Sequence, residues 1–248
     1  MTPVAVVTGA SRGIGLATLR RLVSAGYDCV AIGLHAPDVD GRVAFLRHDL
    51  ADPRGAQAAA AAVTELAAGS GPVSLLVNNA GGADPVAAAE LDHARVERDV
   101  TLNLTAPMLL CAAVLPGMCA AGEGAVVNVA STAGRRGVRY LPTYSAAKAG
   151  LIAYTQSVAD EHASSGVRAN CVCPGAVATA LATAGRAELS RRNGLDPGAY
   201  EAAMAARTGL GRLLDADEVA EVVVWLGTGV GRAVNGQTIN VCGTASMD

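Results

Sequence analysis

Seven short apolar runs punctuate the chain, and the stretches between them carry apolar positions at helical spacing. The runs extend from Val4 to Thr8, Asp28 to Gly33, Val43 to Arg47, Val73 to Asn78, Ala125 to Ser131, Val167 to Val172 and Thr238 to Cys242. Several are continuous rather than alternating, as expected of strands covered on both faces in a parallel sheet. Helical periodicity marks the segments from Ile14 to Ala25, Arg54 to Gly69, Asp92 to Ala121, Pro142 to Ser165 and Ala216 to Gly227. The alternation predicts an α/β fold: one doubly wound Rossmann domain, with a seven-stranded parallel sheet, right-handed crossovers and helices on both faces. At 248 residues the chain fits a single such domain over positions 1–248.

Two connections depart from the rhythm. About ten residues, including Pro37 and Gly41, join the second and third strands, too few for a crossover helix. That edge of the sheet is expected to be thinly covered. After the sixth strand, the stretch at about 180–211 holds no strand and is rich in Ala, Arg and Gly, which reads as a substrate lid.

Composition narrows the function classes. Hydrophobic residues make up 51% and charged residues 17%, with mean hydropathy +0.34, so the chain has the makings of a packed core. Gly, Pro or charge interrupts each apolar run before the ~18 residues of a membrane span, and Met1-Thr2-Pro3 leads straight into a strand without a basic leader. A cytoplasmic protein with no membrane partner is expected. A net charge of −3, a pI near 5.8 and scarce aromatics argue against nucleic acid. The six cysteines form no C-x-x-C pair, and Cys171-x-Cys173 lacks common zinc spacing. Asp160-Glu161-His162 reads as a solvated charge cluster, so no metal site is expected. Of nineteen Lys and Arg residues only Lys148 is lysine, which singles that position out.

The candidate chemistry begins where the first strand runs into Thr8-Gly9-Ala10-Ser11-Arg12-Gly13-Ile14-Gly15. Glycines permit a tight turn and close backbone approach, and the helix that follows offers free N–H groups to a pyrophosphate. The fourth strand ends in Asn78-Asn79-Ala80-Gly81, and the fifth in Ser131. Tyr144 and Lys148 are four residues apart, on one face of the helix after Pro142. An ammonium about 4 Å from a phenolate, at an effective dielectric near 20, is worth roughly 4 kcal/mol, or about 3 pKa units. The spacing therefore predicts that Tyr144 is drawn toward neutrality, where general acid–base work is efficient.

These elements in this order resemble the short-chain dehydrogenase/reductase family, of the 3-oxoacyl-carrier-protein reductase type: T-G-x-x-x-G-x-G, N-N-A-G, Ser131, Y-x-x-x-K and Pro174-Gly175. The resemblance covers essentially the whole chain. It implies a catalytic tetrad of Asn103, Ser131, Tyr144 and Lys148. Ser131 would hold the substrate oxygen, Tyr144 move the proton, Lys148 bond the nicotinamide ribose and Asn103 anchor a relay water. It implies cofactor contacts at Gly9, Ser11, Arg12, Gly13, Ile14 and Gly15, at Asn78, Ala80 and Gly81, and at the adenine-contacting pair Asp49-Leu50. In the loop Pro174-Gly175-Ala176-Val177-Ala178-Thr179, the Val177 backbone and the Thr179 hydroxyl would take the nicotinamide carboxamide.

NADP(H) is the cofactor favoured by the resemblance, with NAD(H) left open. Gly33 stands where NAD-dependent relatives usually carry an acid, and Arg12 and His35 are placed to meet a 2′-phosphate. The short 34–42 connection leaves the alternative that Asp38 or Asp40 turns inward. The implied activity interconverts a ketone and a secondary alcohol, with a 3-oxoacyl or polyketide-type ketoreductase ahead of an alcohol or cyclic-diol dehydrogenase. Arg135, Arg136 and Arg139 would meet an acidic or acyl-carrier-bound substrate, with Arg186, Arg191 and Arg192 of the lid open to the same use. Relatives assemble as homotetramers through the Asn103 helix and the helix carrying Ala146, Ala149, Gly150 and Ala153. The family's terminal V-x-G-G is altered here to Val241-Cys242-Gly243-Thr244.

Overall fold

The computed structural model describes residues 2–247. Seven strands form one parallel sheet in the order β3-β2-β1-β4-β5-β6-β7: β1 Val4–Thr8, β2 Asp28–Gly33, β3 Val43–Arg47, β4 Val73–Asn78, β5 Gly124–Val129, β6 Val167–Pro174 and β7 Thr238–Val241. One face is covered by α2 (Pro53–Ser70), α4 (Ala106–Ala121) and α5 (Pro142–His162), where Ala56, Val63, Leu110 and Val158 pack on Val6, Val30, Leu76 and Val126. The other is covered by α1 (Gly13–Ser24) and α8 (Ala216–Gly227), whose Leu19, Leu22, Val219 and Val223 meet Ala5, Val7, Leu75 and Val127. This is the doubly wound domain that the alternation predicts. Strand order reverses at β1, between β2 and β4, the switch point at whose strand carboxyl ends folds of this kind form their ligand crevice.

The second-to-third connection is as thin as its length requires. No helix separates β2 from β3; the connector is tied by Arg42 to Asp28 at 2.8 Å and by Arg20 donating to the Asp38 carbonyl. Asp38 and Asp40 line a cleft of about 420 Å³ beside Arg20, Val23 and Ser24, in the last two turns of α1. They therefore do not turn inward toward the glycine-rich end of that helix. The 180–211 stretch holds two helices, α6 (Ala180–Arg192) and α7 (Pro197–Ala206).

Two elements near the site differ from expectation. β5 stops at Val129, because Ser131 caps a 3-10 turn at Thr132–Gly134 and so leaves the strand. The long helix from residue 92 divides into α3 (His93–Val100), a π-helical turn at Thr101–Thr105, and α4. It also runs through Pro107 and Pro116. His93–Ala121, 29 residues, is thus long and apolar enough to cross a membrane by length and composition, contrary to the sequence reading. In the fold, Leu110, Cys111, Val114 and Met118 of this run are core residues.

A buried polar chain crosses the centre of the sheet. Asn78 Nδ2 donates to Asn128 Oδ1 at 2.9 Å, Asn128 Nδ2 donates to Thr155 Oγ1 at 2.8 Å, and the Thr155 hydroxyl donates to the Leu151 carbonyl. It joins β4, β5 and α5 beneath the crevice. Removing the middle member costs Asn78 and Thr155 one bond each, worth about 1 kcal/mol net apiece, while Asn78 keeps its approach to the Pro107 carbonyl and Thr155 its bond to Leu151. Asn128→Ala is expected to lower the unfolding free energy by about 2 kcal/mol in urea titrations; an unchanged midpoint would show that the chain contributes nothing.

Candidate active site

Thr8, the last residue of β1, starts the site. Its hydroxyl accepts from the backbone N–H groups of Asn79 and Ala80 at 3.0 and 2.9 Å. Asn79 Nδ2 returns two bonds, to the carbonyls of Thr8 (2.9 Å) and Gly9 (3.1 Å). The turn after β1 is thereby stitched to the turn after β4. A Cβ on Gly9 would lie 2.9 Å from Ala80 Cα, and one on Gly15 would lie 2.3 Å from the Gly9 carbonyl oxygen. Only glycine allows this closeness. α1 starts at Gly13 with no side-chain cap, which leaves its first-turn N–H groups to a ligand. Ser11 and Ile14 flank the turn half-buried, and Arg12 is exposed.

Thr8 and Asn79 carry this arrangement, yet the sequence reading gave them no role and selected Asn78 instead. The Asn78 side chain is buried, donating to Asn128 and toward the Pro107 carbonyl, so it supports the sheet and is turned from the crevice. A cofactor contact at Asn78 is left to its main chain. The signal was available, since strand alternation places neighbours Asn78 and Asn79 on opposite sides. Gly33 lies against the glycine turn, 3.9 Å from Gly9 by its virtual Cβ, and His35 is exposed just beyond it. Asp49 uses one carboxylate oxygen to accept from Ala51 N at 2.9 Å, and Leu50 is buried.

The four tetrad positions converge at the ends of β4 and β5. The Ser131 side chain lies near enough to the Tyr144 hydroxyl to lower its pKa, and it accepts from Ala133 N at 3.1 Å. Lys148 is buried, with Nζ donating to the Val129 carbonyl at 2.9 Å and lying 5.7 Å from the Tyr144 ring centre. A Cβ on Gly81 would stand 3.1 Å from Lys148 Nζ and 3.0 Å from Asn103 Oδ1. Gly81 thus lets the N-N-A-G turn close over both groups. Asn103 sits in the π turn, a helix irregularity frequent at functional sites. Its Nδ2 donates to the carbonyls of Gly82 and Asp99, both at 2.9 Å, and its Oδ1 accepts from Gly82 N at 3.2 Å. The side chain is spent on the protein, so a relay water would meet main-chain carbonyls.

The electrostatics differ from the spacing argument. Burial pushes the Tyr144 hydroxyl above its ordinary pKa, Cys173 adds to this, and the Ser131 side chain pulls it back. The Lys148 ammonium bonds the Val129 carbonyl, and the net direction for the phenol is upward rather than toward neutrality. Burial lowers Lys148 itself from 10.5 to about 8. At neutral pH the pair is therefore a protonated phenol beside a largely charged ammonium. That is the state of a proton donor.

Beyond β6, Gly175 N donates to the Val241 carbonyl and Ala178 N to the Leu214 carbonyl, fixing the loop from Pro174. Thr179 Oγ1 caps α6 by accepting from Ala182 N and keeps its hydroxyl hydrogen for another acceptor. A Cβ on Gly13 would touch the Thr179 methyl at 3.1 Å, so this loop meets the glycine turn. Arg186 of α6 reaches back to the Val177 carbonyl at 3.0 Å, and its side chain is only 11% exposed. It ties the helix to the loop and is not free for substrate.

The loop arginines part company. Arg135 turns inward to the Thr238 carbonyl, which removes it from the expected substrate patch. Arg136 is exposed, and Arg139 stacks over Tyr140 at 4.7 Å. Arg192 stands 5.8 Å from the same ring and pairs with Glu90 and Glu188 at 2.9 and 2.8 Å. Arg191 also pairs with Glu188. A cleft of about 320 Å³ opens beside this cluster, lined by Asp84, Pro85, Arg95, Gly185, Glu188 and Arg192.

Comparison with known proteins agrees with this geometry. The family profile described as short chain dehydrogenase matches residues 3–190. The chain is 36% identical to a putative ketoacyl reductase of the granaticin polyketide synthase of Streptomyces violaceoruber, covering 97% of this chain and 92% of that one. It is 39% identical to the cis-4-hydroxycyclohexanecarboxylate dehydrogenase of Sinomonas cyclohexanicum, covering 97% and 95%. An actinorhodin polyketide ketoreductase solved with NADPH superposes with a TM-score of 0.89 at 34% identity, covering 98% and 97%.

The depressed Lys148 has a consequence for stability. Between pH 8 and 10.5 the unfolded chain binds the proton that the folded chain has lost, so Lys148 weighs against folding most below pH 8. The shift corresponds to roughly 3 kcal/mol. Lys148→Met is expected to raise the unfolding free energy at pH 7, with a gain that shrinks as pH rises toward 10.5. Urea titrations at pH 7 and 9.5 check this, and a loss of stability at pH 7 would contradict it.

Proposed function

The chain belongs to the short-chain dehydrogenase family, and from that premise we propose that it is an NADPH-dependent ketoreductase in which Tyr144 supplies the proton. The observation that carries this reading is Tyr144, close to the Ser131 side chain and one turn before the buried Lys148, whose Nζ lies 5.7 Å from its ring. The glycine turn fits a dinucleotide, because Gly9, Gly13 and Gly15 leave backbone where a Cβ would intrude. Ser11, Ile14 and the α1 amides would hold the pyrophosphate. Ala80, Gly81 and Asp49-Leu50 would flank the nucleosides, and Val177 and Thr179 would take the carboxamide. The relative solved with NADPH, the glycine at position 33 and the exposed Arg12 and His35 support the phosphorylated cofactor.

When bound, the nicotinamide supplies the hydride. The protein's part is to orient and to move the proton. The Ser131 and Tyr144 hydroxyls donate to the substrate carbonyl oxygen, and Tyr144 releases its proton as that oxygen becomes an alkoxide. The Lys148 ammonium steadies the phenolate left behind. Proton return then passes by Lys148 and the main chain around Asn103.

The substrate reading follows the polyketide ketoacyl reductases, and an acyl-carrier-bound ketone is its finer form, with Arg136 and Arg139 at the mouth. Helices α6 and α7 are read as the lid. The exposed Ala146, Ala149 and Ala153 of α5 and Met108 of α4 support assembly as a homotetramer. A second reading, oxidation of a cyclic alcohol, is favoured by the 39% identity to the cyclohexanecarboxylate dehydrogenase.

A cofactor-consumption screen over ketones, acyl thioesters and cyclic alcohols separates the two. NADPH is expected to exceed NADH by more than about ten-fold in kcat/KM, and Tyr144→Phe to cut kcat by about 10²-fold or more. Turnover surviving that substitution would end the mechanism, and oxidation of cyclic alcohols without reduction of ketones would select the second reading.

A further inference from the structure

Among the described residues two charged side chains are buried, Lys148 at 2% exposure and Asp99 at 7%. Lys148 already has its place beside Tyr144. Asp99 has none in the mechanism, although burying a carboxylate costs several kcal/mol unless its surroundings hold it.

Asp99 stands near the end of α3, one turn before Asn103, and it reaches two parts of the tetrad. Its Oδ2 accepts from the Thr143 hydroxyl. Thr143 is buried, is the second residue of α5 and immediately precedes Tyr144. The first turn of α5 has few other anchors: Pro142 has no N–H, Leu141 gives no side-chain cap, and Ser145 Oγ accepts from Val138 N at 3.2 Å. A carboxylate beside that turn also complements the positive end of the helix dipole. At the same time the Asp99 carbonyl accepts from Asn103 Nδ2 at 2.9 Å, and Asn103 holds Gly82 through two further bonds.

We infer that Asp99 is a positioning residue for Tyr144, anchoring the phenol-bearing turn through Thr143 while its carbonyl fixes Asn103. The two buried charged side chains among the described residues then serve one tyrosine from either side along α5. Thr143 holds the backbone just before it, and Lys148 lies one turn after it. Asp99 touches no reacting atom; it acts through Thr143. The inference rests on the reading of Tyr144 as the proton donor.

Thr143→Val, Thr143→Ser and Asp99→Leu test it, with thermal unfolding, NADPH fluorescence titration and steady-state kinetics on each. Thr143→Val removes the donor at nearly constant volume, so it tests the bond even where Asp99→Leu fails to fold. Thr143→Val is expected to lower kcat roughly 10- to 100-fold, the scale of a misplaced reacting group, with NADPH affinity and substrate KM within about three-fold. Thr143→Ser restores the hydroxyl and is expected to recover most of that loss. An unchanged kcat in Thr143→Val overturns the inference. So does an equal loss in Thr143→Val and Thr143→Ser, or a loss explained wholly by weakened NADPH binding or lowered Tm. Failure of the underlying reading would look different, as full turnover in Tyr144→Phe.

Discussion

The site depends on one ammonium kept in the protein interior. Lys148 lies under the carboxyl ends of β4 and β5, held at the Val129 carbonyl, with burial pulling it down to about 8. Its position determines what its neighbours can be. A Cβ at position 81 would press on Lys148 Nζ at 3.1 Å, and position 134 has to be glycine, because a Cβ there would lie 2.8 Å from the Lys148 backbone. The lysine stays mostly charged near neutrality while burial keeps Tyr144 protonated. Donor and stabilising cation therefore coexist without neutralising each other.

Around that point the fold supplies rigidity. β1 and β4 are locked at their ends by the exchange between Thr8 and Asn79, and β4, β5 and α5 by the chain from Asn78 to Thr155. Arg186 carries the same rigidity outward, linking α6 to the loop at Val177. Groups that must sit within a fraction of an ångström of a reacting carbonyl are thus borne by elements fixed on at least two sides.

Much of this was legible in the sequence, because it depends on period and spacing. Apolar runs gave all seven strands, the short stretch after Gly33 gave the thin edge, and four-residue spacing put Tyr144 and Lys148 on one helix face. What escaped depends on where a single side chain turns. Asn78 and Asn79 differ only in the strand face they occupy, and Arg135 and Arg136 only in which one finds the Thr238 carbonyl. The π turn leaves no mark in hydrophobic periodicity, since one extra residue in a turn shifts the register without breaking it. The pKa argument failed for a related reason: spacing fixes a shared face and leaves out the burial of the phenol. Asp99 looked like one more polar residue on a charged helix, and only the packing of α3 against α5 buries it.

One property of the chain makes the central claim open to direct measurement. Lys148 is its sole lysine, so protein labelled with isotope in the lysine side chain gives one such resonance to follow by NMR as pH is raised. A buried, functional ammonium is expected to titrate near 8, well below the ordinary 10.5. A midpoint at the ordinary value would mean that the lysine faces water and that the site is not organised around a buried charge.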